Sequence, residues 1–409
     1  MRKISKLSLV AAVAVAGFST ANAQPLEEAI KNVDVSGSVV YRYDNFDEDN
    51  YGTSTQNNKY KIGLNLSSKV NDYVKFNSRF IVGAQDTGDF VGLESKDGGD
   101  GNADVFLSQA NFAFTGIQNT TVIAGKQGLA TPWTVAIDSD GNEHTGTGIL
   151  ALTTVGPVTA GAGYFNQTNL DKQNNNGASQ GLANGMIPNS ASNIAGLYDG
   201  RNAGSRDLYV GTLQADLSPV KLEAWYLDMA DTLDSYTLVA KANFAPSTDS
   251  KIGVEARYVS LTLDHGKDVG LGSDDNSMYR LAVTGNLSIV NARVAYTATD
   301  DKGGLTAFDQ DSENASLGWT LTSNGVPDAE FWQGTLGVNI LDNLNLAAHY
   351  GNLDASDIDY KAEEIFGQLT YKMSKNLSTY VRYGTLEQKI DGDKVRDRDM
   401  GRLQIEYTF

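Results

Sequence analysis

The sequence predicts an all-β protein, a closed transmembrane antiparallel barrel of about 18 strands with short periplasmic turns and long outward loops. Three observations carry this: period-two apolar alternation recurs along the chain, its connectors alternate between short and long, and the chain ends on a two-faced strand. That ending, "GRLQIEYTF", sets Leu403, Ile405, Tyr407 and Phe409 against Arg402, Gln404, Glu406 and Thr408. Such alternation puts the apolar residues on one face of a strand, and lipid is what covers that face here.

Taken in order, the chain begins with Arg2, Lys3 and Lys6 before "LSLVAAVAVAGF", then "ANA" at residues 21–23. This is the pattern of a secretory signal peptide cleaved after Ala23, too short to span a bilayer. Residues 24–409 are expected to form one barrel domain. In "VDVSGSVVYRY", Val33, Val35, Gly37, Val39, Tyr41 and Tyr43 oppose Asp34, Ser36, Ser38 and Arg42, with Val40 out of place. "KYKIGLNLSS" sets Tyr60, Ile62, Leu64 and Leu66 against Lys59, Lys61 and Asn65, and "YVKFNSRFIVG" sets Val74, Phe76, Phe80 and Val82 against Lys75, Asn77 and Arg79. Further on, "VKLEAWYL", "SYTLVAKANFA", "KIGVEARYVS", "MYRLAVTGNLSI", "NLNLAAHYG" and "NLSTYVRYGTL" repeat the pattern. Segments of about ten residues match strands that cross a bilayer.

Short turns at 68–72, 117–119, 218–219, 246–250, 342–343 and 374–376 alternate with long Gly-, Asn- and acid-rich stretches at 44–58, 84–103, 129–147, 166–205, 264–277, 300–332 and 388–398. A barrel with periplasmic turns and outward loops segregates its connectors in this way. Because lipid cannot hydrogen-bond a strand edge, the last strand has to pair with the first. Leu403 and Ile405 then face hydrocarbon, and Tyr407 and Phe409 sit in the periplasmic aromatic girdle.

The chain has no Cys, so its stability comes from backbone pairing and packing rather than disulfides. Its formal charge of −18 excludes nucleic acid as a natural partner. Removing the leader takes away three cations and leaves the mature chain more acidic still.

Several motifs together resemble the major outer membrane porin family of Campylobacter and its relatives. They are the mature start "PLEEAIKNVDVSGSVVYRY", "VIAGKQ" (122–127), "PWTVAID" (132–138), "GTG" (146–148) and the terminal Phe409. The resemblance implies an 18-stranded, usually homotrimeric general diffusion porin of the bacterial outer membrane, with a tendency towards cations and a third loop folded into the lumen. The step from "AID" to "GTG", "SDGNEHT" here, is longer than is usual in that family, so the loop is expected to reach further into the pore.

By parity, Arg42, Lys59, Lys61, Lys75, Arg79, Arg382 and Arg402 face inward on the first three and last two strands. Closure makes them one basic wall. The third loop supplies Asp138, Asp140 and Glu143, and carboxylates facing a basic wall at a constriction would orient polar solutes and filter ions. Asp138, Asp140 and Asn142 also match the first, third and fifth positions of a calcium loop. Glu143 stands where Gly is required and Ile149 where a bidentate Glu belongs, so this is not an EF-hand. A looser Ca2+ site completed by Asp309, Asp311 or Glu313 is the alternative, although passive diffusion requires no cofactor.

Catalysis is not expected. His144 and His265 fall in loops and His349 on an inward face, and none has a triad arrangement in sequence. A solute-specific channel would need a lumenal aromatic track, for which Trp225, Phe366 and Tyr380 are few; a non-conducting adhesin or structural barrel is the third reading. Ala151, Val158, Ala160 and Ala162 form a flat lipid-facing patch suited to trimer packing, and Phe409 is the expected assembly signal.

Overall fold

The computed structural model describes residues 33–49, 52–84, 89–93, 103–170, 203–264 and 273–409. The leader and the mature start lie outside these residues, as do His265 and much of the second and fourth outward loops.

Eighteen strands form one closed antiparallel sheet. In chain order they are β1 (Val33–Glu48), β2 (Thr53–Lys69), β3 (Val74–Gly83), β4 (Asp104–Ile117), β5 (Thr120–Gly128) and β6 (Thr145–Val155). Then come β7 (Val158–Thr168), β8 (Leu208–Leu217), β9 (Val220–Met229), β10 (Leu233–Ser247), β11 (Ser250–Leu263) and β12 (Asp275–Leu287). The circuit is completed by β13 (Val290–Thr299), β14 (Ala329–Leu341), β15 (Leu344–Ala355), β16 (Tyr360–Lys372), β17 (Leu377–Ile390) and β18 (Asp393–Thr408). A two-residue piece, Val91–Gly92, adds to the outer end of β2.

The sheet has no edge because β18 pairs with β1, from Ser38 opposite Thr408 to Glu48 opposite Arg398. Beyond the last paired residue, Gly37 N–H donates to the Phe409 carbonyl at 2.9 Å and Phe409 N–H donates to Gly37 at 3.1 Å. The alternation resolves into two environments. Val35, Leu213, Leu238, Leu281, Leu336, Val381 and Ile405 are exposed on the outside, whereas Arg257, Arg280, Thr237 and Thr297 are buried inside. That inversion of the soluble pattern is what a lipid-facing wall requires. Val40 is buried on the face of Arg42, so its departure from the alternation is a lumenal apolar residue. Near the outward ends, Tyr164 opposes Tyr209, Tyr226 opposes Tyr236, Tyr258 opposes Tyr279 and Tyr296 opposes Trp332. This arc forms one aromatic girdle, and Tyr407 stacked on Phe409 belongs to the opposite one.

Two of the expected long loops are instead strand. Residues 44–48 and 53–58 pair in register, Asp44 opposite Asn57 and Glu48 opposite Thr53. Polar composition does not prevent pairing where side chains face water on both sides. Residues 388–390 and 393–398 likewise pair across Asp391 and Gly392, both with positive φ (52° and 81°). Two left-handed residues make the primed turn that matches strand twist, and Asp-Gly is its common sequence. The other described loops are shortened at their ends for the same reason, the third running over 129–144 and the seventh over 300–328.

Candidate functional site: a constriction built from two inserted loops

Loop 3 (129–144) is held at two nearly opposite points of the barrel. At its start, fully buried Trp133 donates from Nε1 to Ser235 Oγ on β10 at 2.8 Å and packs with Phe165, Leu208, Leu227 and Leu261. At its end, Glu143, 1% exposed, reaches the wall of β2, β3 and β4. Arg79 clasps the carboxylate with Nε at 3.0 and 2.9 Å and Nη2 at 2.7 Å, Lys61 Nζ lies at 2.8 Å, and Ser108 donates its hydroxyl at 2.5 Å. Ser108 is available because β4 bulges there: Arg79 pairs with Gln109 and Phe80 with Leu107, leaving Ser108 unpaired in the register. Since β3 and β10 lie far apart round the eighteen-strand circuit, the loop spans the lumen.

The predicted acidic residues separate into three roles. Burial pushes the Glu143 carboxyl up, but Arg79 and Lys61 outweigh it and hold the group below the usual range. Asp140 is 29% exposed at its side chain and lies 3.6 Å from Arg42 and 4.0 Å from Arg402. Asp138 turns away from the wall: its oxygens accept from Asn142 N–H at 2.8 Å and from Asn142 Nδ2 at 2.6 Å. Burial, with Asp309 and Asp140 nearby, pushes its carboxyl up to about 7.

The expected calcium trio therefore does not converge: Asn142 gives its amide donors to Asp138, and Asp140 is drawn to arginine. Asp138 does meet Asp309, one of the carboxylates expected to complete the looser site, and His144 joins them. Asp138, His144 and Asp309 bring one oxygen, one nitrogen and one oxygen within 4.8 Å of one another. His144 is fully buried with Nε2 2.8 Å from Asp309. A nitrogen donor departs from the all-oxygen sphere that calcium prefers.

The basic wall is contiguous, but most of it is engaged. Arg42 donates to Gln404 at 2.9 Å and to the Ser139 carbonyl at 2.5 Å, with Phe90 4.1 Å below its guanidinium. Arg402 meets Asp44 at 2.5 Å, and Lys59 lies 3.7 Å from the same carboxylate. Arg382 donates to Gln368 at 2.8 Å and stacks over Trp319, Phe366 and Tyr380. Lys75 is exposed near the periplasmic end and forms no ion pair among the described residues.

Loop 7 (300–328), expected only as a long outward loop, is inserted as well and rests on a charged arc that was not anticipated. Phe308 N–H and Asn314 N–H donate to the carbonyls of Trp133 and Pro132, so loop 7 lies on loop 3. Arg257 Nη1 donates to Asn314 at 3.0 Å and Nη2 to Glu313, while Arg280 holds Glu255 at 2.7 Å and the Ala315 carbonyl at 2.8 Å. On the other flank, Glu364 of β16 accepts from the backbone of Trp319, Thr320 and Leu321. The parity that found Arg42 and Arg79 would have found Lys241, Glu255, Arg257 and Arg280. Nothing in the sequence marks loop 7 as inserted.

A family model, Campylobacter major outer membrane protein, matches residues 1–409. The chain belongs to this family. No curated protein matches. Solved structures with the same barrel include Pseudomonas aeruginosa OpdL (TM-score 0.70, 14% identity, covering 93% of this chain and 99% of that one). Acinetobacter baumannii OccAB3 gives 0.70 and 13% over 93% and 99%, and Pseudomonas aeruginosa OccK8 gives 0.68 and 16% over 93% and 98%. At these identities the likeness establishes the fold. Membership and barrel together make this an outer-membrane porin-type protein, with lipid round its outer face.

Proposed function

We propose that the protein is a porin through which ions and small hydrophilic solutes diffuse passively, with a mild preference for cations and no cofactor or catalytic step. The observation that carries this reading is the inward face, which is charged on strand after strand and meets two inserted loops bearing further charge. A lumen so lined holds water. The acidic balance of the chain as a whole raises cation concentration near the protein, and among the three loop 3 carboxylates Asp140 is open enough to act on ions in transit.

The test is a reversal potential across a planar bilayer under a salt gradient. Asp140→Asn should leave the barrel intact and lower the cation-to-anion permeability ratio, by about twofold at 0.1 M salt and less at 1 M, where the Debye length falls from about 10 Å to about 3 Å. An unchanged ratio at low salt would remove Asp140 from the selectivity mechanism, and a folded barrel that never conducts would favour a structural or adhesive role.

Two assembly features belong to the same proposal. Ala151 opposes Ala162, Thr153 opposes Ala160 and Val155 opposes Val158, giving a low-relief outward patch. Subunits of a homotrimer would pack closely there; native mass measurement after mild detergent extraction should give three chains, and monomer alone would mean that the patch faces only lipid. Phe409 acts as the assembly signal after export and cleavage at Ala23. Phe409→Ala should cut the folded amount in the membrane several-fold while each pore that forms conducts normally.

A further inference from the structure

On the side of the inserted loops away from Glu143 lies a cavity of about 530 Å³, bounded by β12, β13, β14 and β17 and by loops 3 and 7. Three arginines line it, and they differ in what they touch. Arg280 is committed to Glu255 at 2.7 Å and to loop 7 backbone. Arg293 and Arg382 make no ion pair among the described residues, although each is half-buried. Arg382 has its ε N–H on Gln368 and its faces against Trp319 and Phe366, which fixes the plane of the guanidinium, while no carboxylate among the described residues accepts from its terminal amino groups. Elsewhere in this lumen guanidiniums at the loops are matched by Glu143, Asp44, Glu255 or Glu313. Both guanidiniums line the cavity with donors that no carboxylate among the described residues accepts, so the cavity offers donor groups to an anion. Ile137 of loop 3 and Leu317 of loop 7 give the same cavity an apolar side. Asp311 also lines it, with its carboxylate accepting from Ser139 N–H.

We infer that Arg293 and Arg382 form a lumenal subsite for small organic monocarboxylates, the carboxylate held by the guanidiniums and a compact apolar body lying against Ile137 and Leu317. This rests on the cavity being part of the conducting passage proposed above. A guanidinium presents parallel N–H donors that fit a carboxylate in two-point contact, which a simple halide cannot exploit. The subsite would hold such solutes transiently on their way through.

The test uses the full-length protein in planar bilayers at 0.1 M NaCl, with benzoate as probe and benzamide as its uncharged counterpart. Benzoate should reduce the open-channel current in a saturable way at millimolar concentration, and benzamide at the same concentration should not. In Arg293→Gln and in Arg382→Gln, each measured against its own current in NaCl, the half-blocking concentration of benzoate should rise tenfold or more. Arg293→Lys should recover part of the loss, since it keeps charge but not the planar fork. Equal effects of benzoate and benzamide, or benzoate block unaltered in both Gln variants, would overturn the subsite and leave the porin reading standing. Folded insertion without any conductance would overturn both.

Discussion

Glu143→Ala is expected to release the end of loop 3 from the barrel wall and to raise the open-channel current. The carboxylate is the shared partner of Arg79 and Lys61, all three being nearly enclosed. Removing one member of a buried ionic cluster leaves the others as uncompensated charge, which costs about 3–5 kcal/mol. At about 1.4 kcal/mol per tenfold, the attached state of this end would lose at least a hundredfold in its local equilibrium. Trp133 still holds the other end, so the loop should swing rather than leave. A cycle with Arg79→Ala should be strongly non-additive, because the second change removes a charge that the first left stranded. Current and thermal stability both at wild-type values in Glu143→Ala would mean that the cluster does not hold the loop.

The same contact has a defined pH dependence. Glu143 is held below its ordinary value, so the unfolded chain binds the proton more readily than the folded one, and the contribution is fully present above the unfolded carboxyl value of about 4.3. It is lost as pH falls through the lower folded value. The attachment of this end of loop 3 through Glu143 should therefore hold from neutral pH down through mild acid and fail only below the ordinary carboxylate range. Asp138, pushed up to about 7, titrates instead in the neutral range at the other side of the loop.

The second large effect is expected at Glu364. Its oxygens take Trp319 N–H at 2.6 Å, Thr320 N–H at 2.7 Å, Leu321 N–H at 3.2 Å and the Thr320 hydroxyl at 2.8 Å. Among the described residues it forms no ion pair, and its partners are all donors of loop 7. A buried donor left without its acceptor costs about 1–3 kcal/mol. Glu364→Ala strands several buried donors at once and should loosen loop 7 by roughly 3 kcal/mol or more. Proteolysis of the folded, membrane-inserted protein should then cut within 300–328, where the wild type resists, and current noise should rise. Gly318→Ala gives an independent probe, since a Cβ there would overlap Glu364 Oε2 and displace it from the backbone donors. Equal protease resistance in both variants would show that loop 7 is held elsewhere, for instance by Arg257 and Arg280.

The sequence by itself determined the barrel and its faces. Period-two alternation is a local property, and without a soluble core to complicate it, parity assigns lumen or lipid to residues such as Arg42, Lys61, Arg79 and Ile405. Closure followed as well, because an open edge in lipid would leave peptide groups unbonded. Local composition misled at 388–398, where charge suggested a loop but Asp391 and Gly392 carried the turn signal. Parity stops at the loops. Whether Glu143 lies in solvent or under Arg79 depends on a bulge that frees Ser108 and on a chain reversal across the barrel. The meeting of His144 with Asp309 joins residues far apart in sequence on two separate loops. Only the tertiary structure decided these, because loop backbones have no repeating pattern, and their course is fixed by long-range partners such as Ser235 for Trp133 and Glu364 for Thr320.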